Sequence, residues 1–261
     1  MTGEVRNALL VFVGGVLVLV VADGTYLHYV RPAAAPLVLV AGLVIIVLAL
    51  IDVVRDLQGR PDPAAHGADG DGLGHDGTGH HETGRVAWLL LLPVLTVLLV
   101  SPPALGSDAV DLAGGRTAPT AAVPADDPLP PGDAPVLAVV DFVSRVAAMS
   151  SSGRAGQAGP LVGRDVTLSG FVVPARTGPG TDLTRLVISC CAADASPVRV
   201  HLADPAGALV PRMAAPSQGD RWLRVRGRLV TGTGTAADGF VPTIRVVDAA
   251  DVPPAVPAYE Y

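Results

Sequence analysis

Apolar and polar positions alternate along this chain in three different rhythms, and the change of rhythm divides it. Residues Asn7 to Ala22 form an almost unbroken apolar run, Pro36 to Val54 a second and Val86 to Val100 a third. Each approaches the roughly 20 residues that a helix needs to cross a hydrocarbon layer ~30 Å thick, so the pattern predicts three membrane-spanning helices. The first is slightly short, which places Tyr26, His28 and Tyr29 at the interface; a cleaved signal peptide is its alternative. Arg31-Pro32 and Pro36 bracket a turn so brief that the first two helices are expected to form an antiparallel hairpin. Trp88 lies where an interfacial aromatic is expected, and Pro93 within the third span is tolerated when neighbours satisfy the freed carbonyl.

After the spans the rhythm changes twice. Leu105 to Pro135 is rich in Ala, Pro, Asp and Gly and reads as an extended spacer. Val136 to Met149 carries apolar residues at helical spacing with Asp141, Ser144 and Arg145 opposite, which predicts a short amphipathic helix docked on the domain C-terminal to it. From Gly163 the period becomes two. Asp165 to Val173, Thr184 to Ser189, Val198 to Leu202, Arg221 to Val230 and Thr243 to Val247 alternate or nearly alternate apolar residues, separated by Gly- and Pro-rich turns. Five short strands predict a small all-β domain, an OB-like barrel, with a β-sandwich as the alternative. Gly170 and Gly227, each in the middle of a long strand, fit the bends that closing so small a barrel requires. The organisation expected is a three-helix membrane region over 1–103, a linker over 104–135 and a folded domain over 136–261 whose barrel starts near 163.

Composition narrows the class. Half of the 261 residues are hydrophobic, only 4% are aromatic, and the mean hydropathy is +0.48, which is a membrane composition. The net charge of -6 offers no basic footprint for nucleic acid. All 18 basic side chains are Arg, so a P-loop, which needs Lys, is excluded; no G-x-S-x-G or H-E-x-x-H occurs either, and an enzyme is not expected. Arginines cluster near the N-terminus and around the second loop, as Arg6, Arg55, Arg60 and Arg85. The positive-inside rule therefore places the N-terminus and the loop 52–85 in the cytoplasm and the C-terminal domain outside the cell.

Two groups of side chains carry candidate chemistry. Residues 59–84 replace aliphatics with Gly, Asp, Pro and His and are expected to be an unstructured loop. Its His66, His75, His80 and His81, interleaved with carboxylates, make a loose site for Zn(II), Ni(II) or Cu(II), or else a plain solvated linker. The only two cysteines stand side by side as Cys190 and Cys191, which excludes a disulfide scaffold. In an extended backbone their side chains point to opposite faces, so both can hold one ion only where the chain turns, and Ala192 to Pro197 supplies such a turn. With Asp194 or His201 completing it, the pair would make a soft site for zinc or copper. The alternatives are a labile vicinal disulfide in an oxidising compartment, and a structural pair with one cysteine packed as a small hydrophobe.

The segments GFVVPA at Gly170 to Ala175, ISCCAADASPV at Ile188 to Val198, WLRVRGRL at Trp222 to Leu229 and the terminal AYEY resemble the bacterial permease-subunit family of YcgQ type. The resemblance covers nearly the whole chain. It implies a membrane protein that works beside a multi-span permease of YcgR type, in a family often suspected of metal handling; its signature block falls on Cys190, Cys191, Ala193, Asp194 and Ala195, with Trp222 and Gly227 in a later strand. The ending departs from the pattern, with Pro257-Ala258 before Tyr259. The expected function is thus a permease subunit with an extracellular Cys-pair metal site, against an envelope thiol-disulfide protein or a purely structural scaffold.

Overall fold

The computed structural model describes residues 3–58, 104–113, 127–151, 159–176, 178–204 and 220–261. The third span expected at 86–100 and the His-rich loop, with His66, His75, His80 and His81, lie outside them. Two compact units emerge, one of Met1–Tyr26 with Pro32–Pro103, the other of Leu27–Arg31 with Ala104–Tyr261.

In the first unit, α1 (Gly3–Ala22) and α2 (Ala35–Leu57) pack as a pair. Arg6, near the start of α1, meets Asp52, near the end of α2, at 3.1 Å, so the two run antiparallel as their short connection requires. Leu37, Val40, Val44, Val47, Leu48 and Ile51 of α2 are exposed. Such a surface is costly in water, at roughly 25 cal/mol per Å² of apolar area, and costs nothing in lipid. Among the described residues one helix, Pro32–Arg55, is long and apolar enough to cross a membrane; the apolar part of α1, Arg6–Ala22, is shorter.

The second unit is built on five strands, β1 (Asp165–Pro174), β2 (Thr181–Val187), β3 (Ser196–Ala203), β4 (Trp222–Leu229) and β5 (Thr243–Asp251). They form one mixed sheet in the order β1-β2-β3-β5-β4, curled so that β4 also pairs with β1. All neighbours are antiparallel except β3 and β5, whose parallel seam is three residue pairs long, His201↔Thr243 to Ala203↔Arg245. A single curled sheet takes the place of the two facing sheets that a sandwich would need. Two of the strand glycines owe their place to this curvature. A Cβ on Gly227 would fall 2.6 Å from the Arg245 carbonyl, at the point where the β4–β5 register shifts, and one on Gly170 would fall 2.6 Å from the Thr184 carbonyl.

The spacer differs from expectation: Ser107–Leu112 is a short helix, α3, whose Val110 is buried in a cluster with Phe171, Leu186, Ile188, Trp222 and Tyr259. Val110 is an apolar side chain in a polar stretch, and the cluster gives it a place to leave water. The amphipathic segment forms α4 (Val139–Ser151), which buries Val139, Phe142, Val143, Val146 and Met149 against Leu168, Leu183, Val200, Leu223 and Val225. On its other face Asp141 is half-buried. Ser144 and Arg145 are buried, and the Arg145 guanidinium donates to the Asp127 carboxylate at 2.8 Å and to the Asp127 carbonyl.

Candidate metal centre

The connection from β2 to β3 holds the cysteine pair. Ile188 and Ser189 continue past β2, Cys190 and Cys191 come next, and a 3-10 turn over Ala192–Asp194 reverses the chain before Ser196 opens β3. The turn is made by Asp194. Its carboxylate accepts the backbone N–H of Ser189 at 2.9 Å, of Cys190 at 2.7 Å and of Cys191 at 3.4 Å. In return the Cys191 sulfur takes up the backbone of Asp194, a reciprocal cap of the kind that Ser or Thr makes at a helix start. Cys191 itself is extended, with φ -153° and ψ 168°. The reversal immediately after it brings the two sulfurs to 3.6 Å, Cys190 donating to Cys191.

Two neighbours brace the loop. On one side Val30 pairs with Cys191, with Ala192 N–H donating to the Tyr29 carbonyl at 2.7 Å, Arg31 N–H to the Cys190 carbonyl at 3.3 Å, and the Arg31 guanidinium to the Ser189 carbonyl at 3.2 Å. On the other the C-terminal tail adds a parallel bridge, Val187↔Glu260, so that Glu260 N–H donates to Leu186 and Ile188 N–H to Glu260. The Glu260 carboxylate then caps α4 by accepting Val139 N–H at 3.0 Å and Val140 N–H at 2.7 Å, and meets Arg185 at 3.3 Å. Arg185 also donates to the Pro257 carbonyl and lies over the Trp222 ring, 4.9 Å from its centroid. Tyr259 accepts Leu105 N–H and donates to the His28 carbonyl. The tail is therefore a structural strap under the cysteine loop, a role that its sequence alone does not show.

Both cysteines are free, Cys190 exposed and Cys191 half-buried. Hydrogen bonding to Asp194, then to Cys191, pushes the Cys190 thiol up to about 11. Burial works against the charge of Asp194, but the Cys190 thiol and the three backbone N–H groups outweigh it and hold the carboxyl below its ordinary range. One donor atom from each of Cys190, Cys191 and Asp194 lies within 4.8 Å of the others. Two thiolates on one zinc at ~2.3 Å in tetrahedral geometry stand about 3.8 Å apart. The 3.6 Å between these sulfurs fits that spacing almost without movement. Of roughly four acceptor positions on the carboxylate, three take backbone N–H groups and the fourth faces the Cys190 thiol, so loss of the thiol proton on ligation frees that one.

His201 does not join them. It sits toward the far end of β3, roughly 17 Å along the strand from Ser196, where its Nδ1 meets the Asp182 carboxylate at 3.0 Å. The structure thus unites Cys190, Cys191 and Asp194 and gives His201 another partner. Sequence reasoning included Asp194 as a ligand but missed that it organises the loop; an Asp three residues after an N-cap position is the signal that pointed there.

The described residues thus combine a pair of apolar helices, one of them long and apolar enough to cross a membrane, with a thiol-bearing C-terminal domain, a curled five-stranded sheet that presents a cysteine-cysteine-aspartate loop. Residues 5–116 match the DUF1980 N-terminal domain and residues 156–261 match the DUF1980 C-terminal domain. The chain belongs to the DUF1980 family and carries both of its domains, in that order. No curated protein and no solved structure matches it.

Proposed function

We propose that this protein is an accessory subunit of a membrane permease and that its Cys190-Cys191-Asp194 loop takes up a transition-metal ion, Zn(II) or Cu(I), on the outer side of the membrane. The observation that carries the metal assignment is the 3.6 Å sulfur spacing with a carboxylate in the same group. Ligation replaces the thiol protons, so uptake releases protons. The raised thiol pKa slows thiol-disulfide exchange, in which a thiolate must attack, and makes metal uptake weaken as pH falls. The curled strand order, with β4 back on β1, supports the OB-type barrel reading. The sparse arginines of the first turn support placing it outside, and the pairing of Val30 with Cys191 supports placing the domain on that same side. Apolar spans without buried ionisable groups form no ion route of their own, which supports a multi-span permease as partner.

Native mass spectrometry of the full chain in detergent, offered Zn(II) and Cu(I), tests the reading. The expected result is one metal equivalent lost in Cys190→Ser with Cys191→Ser, over any uptake by the His-rich loop. Equal uptake by wild type and double variant would overturn it.

A further inference from the structure

The loop between β1 and β2, the C-terminal half of β3 and the segment before β5 enclose a pocket of about 360 Å³ lined by Arg176, Asp182, His201, Thr233, Asp238 and Thr243. None of the cysteine-loop residues lines it. At its base Asp182 is only 2% exposed, yet three groups converge on its carboxylate: His201 Nδ1 at 3.0 Å, Arg199 at 3.6 Å and the backbone N–H of Arg176 at 3.4 Å. A buried carboxylate facing Nδ1 fixes the ring, places the Nδ1 proton, and leaves Nε2 for something else. Gly180 makes the space, since with φ 136° a Cβ there would lie 2.7 Å from His201 Cε1 and 3.4 Å from Nε2. The wall opposite adds the exposed Arg176 guanidinium, whereas Asp238 is engaged with Thr235, from which it accepts both N–H and O–H.

A guanidinium and an imidazole facing one pocket match an oxyanion when both ring nitrogens carry hydrogen, since an imidazole with hydrogen on Nδ1 alone offers Nε2 only as an acceptor. A metal ion is the poorer match: among the described residues no group of three ligand atoms forms here, and Arg176 repels a cation. We propose that this pocket binds the oxyanion end of a small ligand, a carboxylate or a phosphate, between the Arg176 guanidinium and His201 Nε2, with Asp182 as the positioning residue that orients the ring. Arg176 offers its planar fork to two oxygens. With hydrogen on both ring nitrogens, His201 donates Nε2–H to the anion while Nδ1–H stays on Asp182, and Arg199 offsets the Asp182 charge.

Equilibrium dialysis of the full chain in detergent tests this, with labelled inorganic phosphate in one arm and labelled acetate in the other, each against chloride at constant ionic strength. One saturable site for at least one of the two is expected, and the tighter arm tells phosphate from carboxylate. Binding should weaken roughly tenfold or more in Arg176→Gln, the loss of a charge-assisted hydrogen bond. It should weaken similarly in His201→Asn, which keeps an N–H in place of Nδ1 for Asp182 but has no Nε2. Cys190→Ser with Cys191→Ser should leave it unchanged, which separates this pocket from the metal reading. Absence of binding in both arms, or full binding in Arg176→Gln, would overturn the proposal; that residue is exposed, so its variant tests the pocket even where His201→Asn fails to fold. Zn(II) uptake lost in His201→Asn without any anion binding would also overturn it.

Discussion

Removing the Glu260 carboxylate should unfold far more than a chain terminus. Its side chain is 11% exposed and that of Arg185 is 6% exposed. In Glu260→Ala the guanidinium stays buried with the Pro257 carbonyl, the Trp222 face and the charge interaction with Tyr261 but without its carboxylate, and Val139 and Val140 lose the acceptor of their N–H groups. Breaking one side of a buried ion pair costs about 3–5 kcal/mol, and loss of a helix cap about 1 kcal/mol, the two overlapping because one carboxylate does both. For a domain of this size that is on the order of 10–20 °C in melting temperature. Glu260→Gln, which keeps one acceptor oxygen, should cost less, about 1–3 kcal/mol. Adding Arg185→Met to Glu260→Ala should recover part of the loss, since no charge is then stranded. The assay is thermal unfolding of the full chain in detergent by near-ultraviolet circular dichroism, which sees Trp222, with hydrogen exchange at Val139 and Val140. A loss below ~1 kcal/mol, or a double variant as unstable as the sum of its singles, would refute the account of the tail as strap and cap.

Three further outcomes rest on the same geometry. Alkylation of Cys190 should be slow at neutral pH and rise only as pH approaches about 11, and Asp194→Asn should move that rise to lower pH; a profile like that of a free thiol would contradict the loop geometry. Gly227→Ala, with its Cβ 2.6 Å from the Arg245 carbonyl, should cost ~1–3 kcal/mol in chemical denaturation, and an unchanged midpoint would count against so close an approach. Asp165 is held below the ordinary aspartate range by Arg228 first, then Arg226, against burial, so its stabilisation is present above that range and lost as pH falls through the lowered value. Asp165→Asn should therefore flatten the acid limb of the stability curve, and an unchanged limb would count against the pairing.

The repeating patterns in this chain were legible because each depends on neighbours in sequence. Period two from Asp165 onward marks the five strands, with β2 starting three residues earlier, at Thr181, and β5 running on to Asp251. The helical period after Val136 marks α4, and the apolar runs mark α1 and α2. Gly170 and Gly227 stand out because a small residue inside a strand needs a reason, and close approach of a carbonyl is that reason. The turn after Cys191 was also visible, since two adjacent cysteines can face one ion only where the chain reverses.

What required the tertiary structure were contacts between residues far apart in the chain, because no local period encodes them. Nothing in Tyr259-Glu260-Tyr261 says that Glu260 caps a helix 120 residues earlier, and nothing in Leu27 to Arg31 says that Val30 pairs with Cys191. Nothing in the polar face of α4 says that Ser144 and Arg145 are buried, because polarity reports side-chain type alone, whereas Asp127 supplies a charged partner that lets Arg145 leave water. His201 shows the same limit. Its residue type fits a ligand set with Cys190 and Cys191, but strand register sets it beside Asp182 at the other end of β3, and distance decides which ion or molecule it can reach.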